Sequence, residues 1–199
     1  LKGQIEKIIA YDGNSRKISE ALNTYEVRKA GPIERFLGFP ALTEQTTTIW
    51  EENATYVTTQ DEYTFDNIGN LLEGKSLGDA SKTGDEKSTS TTYAQAYEIG
   101  FNRPLETSLK DKDGQVVTKK NFEYDEKGNL KKDSVSIYNP LTTDSGLSTT
   151  DYSYDSFGNL TSTTNALGSI VITEYETQLY TYPQKITNSL GHTITYIYE

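Results

Sequence analysis

The sequence predicts an all-β protein: a twisted antiparallel sheet of hairpins that meanders in chain order. Three observations predict it. The pattern (Tyr/Phe)-x-(Tyr/Phe)-Asp-x-x-Gly-Asn-Leu occurs three times, with Phe122 replacing the first Tyr in the second copy, which points to a repeat architecture. Tyrosine is abundant, with 15 residues, and Thr-rich stretches separate the copies, so strand propensity is high. No segment carries the 3.6-residue periodicity of a long helix.

The copies are Tyr63 to Leu71, with Phe65, Asp66, Gly69 and Asn70; Phe122 to Leu130, with Tyr124, Asp125, Gly128 and Asn129; and Tyr152 to Leu160, with Tyr154, Asp155, Gly158 and Asn159. Aromatics two residues apart share one face of a strand. The Asp that follows is suited to bond back to the backbone through its carboxylate. The Gly three residues later is suited to the positive φ of a type I turn closed by a bulge. The next strand then leaves from Asn-Leu. Degenerate copies keep the Gly and an Asn or Asp three residues before it, at Asp111 to Gly114, Asn165 to Gly168 and Asn188 to Gly191. Their spacing is irregular, which favours unequal hairpins over a periodic solenoid.

In chain order, residues 4–11 read as a strand and Asp12-Gly13-Asn14 as a tight hairpin turn. Residues 17–29 have two readings, since Ile18 to Leu22 suits a helical turn and Thr24 to Val27 looks extended. Residues 31–40 break regular structure at both ends, and Phe36 and Phe39 flanking Leu37-Gly38 suit a buried corner. Residues 42–50 and 56–65 are Thr-rich strands. Residues 74–90, small, polar and Gly-rich, read as a flexible hairpin loop open to proteolysis. Further strands are expected over 91–99, 105–111, 116–124, 130–138, 149–154, 160–165, 169–175, 185–188 and 193–198.

The 199 residues read as one repeat segment, 1–199, cut from a longer repeat protein: the chain lacks an initial Met and stops on an aromatic strand, Thr195 to Glu199. Such a slice is expected to leave sheet edges unpaired. A hydrophobic content of 34% fits a sheet with one Tyr/Ile/Leu face and one Thr/Ser/Lys/Glu face, which needs a partner for its apolar side. The net charge of −10 disfavours a grip on nucleic acid or anionic membrane. With no Cys there are no disulfides, thiolate metal sites or cysteine nucleophiles. No apolar run has the length of a membrane-spanning helix.

The repeated pattern resembles the YD repeats of the Rhs family, shared with the B and C components of bacterial Tc toxin complexes. Glu34-Arg35-Phe36-Leu37-Gly38-Phe39 is similar to an Arg-Phe-x-Gly-Phe segment in the middle region of Tc-toxin B components and related plasmid-virulence proteins. The order Thr91 to Ala94, Gly100 to Pro104, Asp111 to Gly114 and Phe122 to Asp125 follows the same region, as does Tyr182 to Thr193 with its Asn188-Ser-Leu-Gly191-His192 stretch. The resemblance covers most of residues 31–199. It implies a segment of a hollow shell wound from antiparallel hairpins and enclosing a toxic C-terminal polypeptide. The implied setting is a secreted or cell-surface bacterial protein. The implied partners are further repeats, the enclosed cargo, other toxin-complex components or surface glycans. No cofactor, metal or enzymatic activity is implied for these residues.

The residues leave the tyrosines two readings: a platform for stacking sugars, or cross-strand packing with hydroxyls at the wet edge, which is the simpler. The first supports an alternative role as a carbohydrate- or receptor-binding module. Asp111-Lys112-Asp113-Gly114 lacks the later ligands of a calcium loop and reads as a turn. His192, the sole histidine, sits in a turn with no nucleophile motif. Glu51 and Glu52, as strand neighbours, would point to opposite faces and so not act as an acid pair. Trp50 reads as a sheet anchor.

Overall fold

The computed structural model describes residues 3–29, 38–52, 55–94, 102–138 and 145–198. Phe36 and most of the Glu34 to Phe39 segment lie outside these residues, as does the end of the strand expected over 91–99. The described residues form strands and turns only: β1 (Lys7–Tyr11), β2 (Lys17–Lys29), β3 (Gly38–Trp50), β4 (Tyr56–Phe65), β5 (Leu71–Asp79), β6 (Lys87–Tyr93), β7 (Pro104–Lys110), β8 (Val116–Tyr124), β9 (Leu130–Tyr138), β10 (Ser145–Tyr154), β11 (Leu160–Asn165), β12 (Ile170–Tyr175), β13 (Pro183–Thr187) and β14 (Thr193–Thr195). Strand order in the sheet is the order in the chain, and the pairings are antiparallel, so the meander read from the sequence is the fold.

The chain divides into two units, an N-terminal one of Leu1–Thr92 with Thr107–Val117 and a C-terminal one of Tyr93–Glu106 with Thr118–Glu199. Among the described residues of each, strands touch only their sequence neighbours, and no second layer covers either face. Burial is correspondingly slight. The accessible surface is 14030 Å², against roughly 9400 Å² for a compact protein of this mass. Ala41 is the one fully buried apolar residue among those described.

The C-terminal unit has the two-faced pattern the composition suggested. Register places Phe122, Val135, Tyr152, Val171, Ile186 and Ile194 on one side together with Lys120, Asp133, Thr150 and Thr173, and Asn121, Ser134, Thr149, Asp151, Thr164 and Lys185 on the other together with Ile170 and Ile172, so the first side is the more apolar of the two. The N-terminal unit does not. Its rows run Asn23, Gln45, Asp61, Ser76 on one face and Glu44, Glu62, Lys75, Ser88 on the other, so both faces are polar across β3 to β5. Side chains bridge these rows, with Gln45 Nε2 donating to Asn23 Oδ1 at 2.8 Å, Gln60 Nε2 to Glu44 Oε1 at 3.1 Å, and the Thr48 and Thr58 hydroxyls 3.0 Å apart.

Several local expectations need correction. Residues 17–29 are one continuous strand, because pairing with both β1 and β3 overrides the weak helical pattern of Ile18 to Leu22. The segment 74–90 is mostly strand: Glu73 to Ser76 pair with Ser90 to Lys87, and only residues 80–86 lie between strands. There Asp79 is buried, bonded to the Ser81 N–H and hydroxyl, and ion-paired to Lys82 at 2.8 Å. Lys82 above all, with Ser81, draws its pKa down to about 2. Glu51 and Glu52 lie in a turn, not a strand; Glu51 accepts the Thr55 hydroxyl at 2.8 Å. Trp50 ends β3 under the Lys17 ammonium, 4.2 Å from its ring centroid.

Candidate functional site

The repeated chemistry of the chain lies in its turns. Seven share one geometry, starting at Asp12, Asp66, Asp111, Asp125, Asp155, Asn165 and Asn188. In each, the first N–H donates to the fifth carbonyl at 2.8–3.1 Å and the fourth N–H donates to the first carbonyl at 2.9–3.4 Å. The first side chain's Oδ1 accepts the fifth N–H in all seven, at 2.8–3.0 Å. Register slips by one residue beside the full copies, at Thr64/Phe65, Glu123/Tyr124 and Ser153/Tyr154, where the bulge sits.

The pairing of Asp with Asn in the full pattern follows from this geometry. With Oδ1 occupied, a carboxylate has a second oxygen left. Asn70, Asn129 and Asn159 fill it, donating Nδ2 to Oδ2 of Asp66, Asp125 and Asp155 at 2.8–2.9 Å. Where Asn opens the turn no second oxygen exists, and the fifth residue is Ser169 or His192. The Asn129 amide and the backbone N–H groups hold Asp125 below the usual carboxylate range. At Asp155 desolvation is the largest influence and acts upward, but Asn159 and three backbone N–H groups together outweigh it.

The turn at Asp12 is a further copy that the sequence reading missed. Its left-handed residue is Ser15, at φ 62°, and not Gly13, and Arg16 Nε takes the place of the Asn amide on Asp12 Oδ2 at 3.1 Å. The Tyr11-Asp12 step was the available signal.

In the C-terminal unit four tyrosines are tied to the neighbouring strand. Tyr124, Tyr154, Tyr175 and Tyr198 donate their hydroxyls to the carbonyls of Pro104, Leu130, Leu160 and Pro183 at 2.9, 3.0, 3.2 and 2.7 Å. Each of these tyrosines immediately precedes an acid, and each acceptor opens the preceding strand. Burial pushes the Tyr124 and Tyr154 phenols up. Tyr152, on the same strand as Tyr154, donates to Asp133 Oδ1 at 2.9 Å. In the N-terminal unit Phe65 has no hydroxyl; it packs edge-on against Phe39 at 6.4 Å, its carbonyl accepts Arg28 Nη1 at 2.6 Å, and burial pushes the Tyr63 phenol up.

Two structural residues were invisible to the pattern. Arg103 lies over the Tyr124 ring at 5.4 Å and against Gly128. Glu176 opens a longer turn by accepting the N–H groups of Gln178, Leu179 and Thr181 at 2.6–3.0 Å, which lowers its pKa. That turn places Tyr180 at φ 53°, stacked on Phe157 at 4.5 Å, with its carbonyl accepting the Asn159 amide at 2.6 Å.

The structure does not gather the repeat residues into one centre. The Asp66 turn belongs to the N-terminal unit. The Asp125 and Asp155 turns are neighbours in the C-terminal unit and flank an open cleft of about 370 Å³ lined also by Lys127, Lys131, Tyr152 and Tyr154. A second cleft, of about 420 Å³, is lined by Glu176, Gln178, Tyr182, Gln184, Tyr196 and Tyr198. His192 is exposed in the Asn188 turn. Among the described residues no three His, Asp or Glu side chains converge as metal ligands, and no helix is long and apolar enough to cross a membrane.

Residues 135–170, which contain the third full copy, match the RHS repeat family model, in agreement with the resemblance carried by the turns. No curated protein matches the chain. Among solved structures, the crystal structure of TcdB2-TccC3-Cdc42 aligns with 97% of this chain and 11% of that one, at 14% identity and a TM-score of 0.47. That of TcdB2-TccC3-TEV aligns with 92% and 10%, at 13% identity and a TM-score of 0.42. A porin-like protein from Bacteroides uniformis aligns with 90% and 79%, at 13% identity and a TM-score of 0.39. The chain thus spans about a tenth of the first two.

Proposed function

From the premise that residues 135–170 form an RHS repeat, we propose that the chain is a structural segment of a larger Rhs-type shell. It acts by containment and not by catalysis. The observation that carries this reading is the uncovered sheet of the C-terminal unit: among the described residues nothing covers its more apolar face, which runs from Phe122 to Ile194. Polypeptide packed against that face would be shielded by it, and the turns would fix the spacing of the wall. The cargo would be a toxic C-terminal polypeptide of a secreted or cell-surface bacterial protein. The repeat residues Tyr63, Phe65, Asp66, Phe122, Tyr124, Asp125, Tyr152, Tyr154 and Asp155, with the Gly and Asn of their turns, would serve as hairpin formers.

The test is limited proteolysis of the whole polypeptide encoded by the open reading frame. Shell function predicts that the region C-terminal to the repeats survives protease until the sheet is unfolded. Free cleavage of that region, or a stop codon soon after Glu199, would overturn it. A second reading, a carbohydrate- or receptor-binding module, is favoured by the exposed tyrosines of the second cleft, where the Tyr196 and Tyr198 rings lie 6.4 Å apart and 22° from parallel. Glycan-array binding lost in Tyr196→Ala would support that reading.

A further inference from the structure

We propose that Tyr182 and Tyr198 form an oxidative cross-linking site, at which a carbon–carbon bond between the two rings clips the β13–β14 hairpin. Their ring centroids lie 5.1 Å apart with planes 37° from parallel, and both side chains are about half exposed, at 47% and 49%. Tyr182 stands directly before β13 and Tyr198 shortly after β14, so the pair straddles the open end of a hairpin whose other end is the Asn188 turn. The Tyr198 hydroxyl is held by the Pro183 carbonyl at 2.7 Å, which fixes its ring beside Tyr182.

Composition directs oxidation to these rings. The chain has no Cys and no Met, so the usual sulfur sinks for oxidants are missing, and one Trp is the competitor. That Trp50 ring faces the Lys17 ammonium at 4.2 Å, which disfavours a positive charge developing on the indole. Phe157 and Tyr180 stack more closely, but phenylalanine yields no phenoxyl radical.

The co-reactant is a peroxide used by a haem peroxidase. Each phenol gives up one electron and one proton, and hydrogen peroxide takes both pairs to become two waters. The two phenoxyl radicals then join through a carbon ortho to each oxygen, and the two ortho hydrogens move to the oxygens to restore both phenols. The product is lighter than the chain by two hydrogens. With a neighbour already in place, the effective concentration is on the order of millimolar or more, so the intramolecular product outruns dimers at micromolar protein.

The experiment is peroxidase and hydrogen peroxide treatment of the full chain, read by mass spectrometry and dityrosine fluorescence. Cleavage after Lys185 separates the two tyrosines unless they are joined. The expected result is a monomer lighter by two hydrogens with residues from either side of Lys185 linked, and loss of that product in Tyr182→Phe and in Tyr198→Phe but not in Tyr56→Phe. The Tyr182 hydroxyl has no hydrogen-bond partner among the described residues, so Tyr182→Phe is expected to leave the hairpin intact and keeps the result interpretable. A link at other tyrosines, product surviving in Tyr182→Phe, or intermolecular dimers alone would overturn the proposal.

Discussion

The two units use the same turn and differ in what lies between the turns. Asp66 in the N-terminal unit and Asp155 in the C-terminal unit make the same bonds to the N–H of the third and fifth residues and to an Asn amide. The strands of the N-terminal unit are joined mainly by polar rungs such as Gln45 to Asn23, with one tyrosine tie from Tyr25 to the Ile5 carbonyl, whereas four tyrosines of the C-terminal unit cap carbonyls of the adjacent strand. The turn therefore sets where a hairpin reverses, and the face chemistry sets what the sheet can lie against. Among the described residues the C-terminal unit has the more apolar side, and the family match falls within that unit.

Acid should weaken the turns at Asp12, Asp125 and Asp155, spare those opened by Asn165 and Asn188, and have the largest effect. The lowered carboxylates Asp12, Asp125 and Asp155, together with Asp79, contribute stability that is present above the unfolded carboxylate pKa of about 4. That stability is lost as pH falls through their folded values. Asp79 titrates at about 2, so its turn should be among the last to open, as followed by hydrogen exchange or tyrosine fluorescence between pH 5 and roughly 2. If the β5–β6 turn opens first, the assignment to Lys82 and Ser81 is wrong.

Removing single turn acids should sharpen the comparison. Asp66→Ala and Asp155→Ala should speed amide exchange at the third and fifth turn residues by on the order of tenfold for each N–H that loses its acceptor. Similar changes in both units are expected; an effect in one alone would mean that the faces, not the turns, hold the hairpins. Among the glycines, Gly158→Ala meets no neighbour at φ 90° and should cost about 1–2 kcal/mol from the left-handed backbone alone. Gly128→Ala would bring a Cβ within 2.6 Å of the Arg103 guanidinium and should add roughly 0.5–1 kcal/mol by displacing it from Tyr124. Urea denaturation of both variants measures the difference.

Smaller effects separate the two kinds of cross-strand tie. Tyr154→Phe keeps the ring but removes the hydroxyl bond to the Leu130 carbonyl, and should cost about 1 kcal/mol. Thr48→Val in the N-terminal unit removes one exchangeable hydroxyl partner of Thr58 and should cost about 0.5 kcal/mol. Equal losses would erase the distinction drawn between the units.

The turns were legible because their bonds are local: an Asp or Asn side chain meets N–H groups two and four residues ahead whatever the rest of the chain does. For the same reason the strand ends beside them were legible, as at 56–65, 116–124 and 130–138. Ser15 was missed because Asp12-Gly13 offered a more familiar hairpin signal, and Asp12 and Arg16 impose the left-handed residue two positions later. Residues 17–29 were left between two readings and 74–90 was misread because their strand character comes from partners on both sides and hardly from their own composition.

By itself the sequence determined the all-β class, the positions of the reversals and the Asp–Asn pairing, all set by covalent neighbours within five residues. Tertiary structure alone decided which faces are apolar, which carbonyl each tyrosine caps, where Arg103 lies and how Tyr182 meets Tyr198. Those contacts depend on register between strands, and a shift of one residue would turn every side chain to the opposite face.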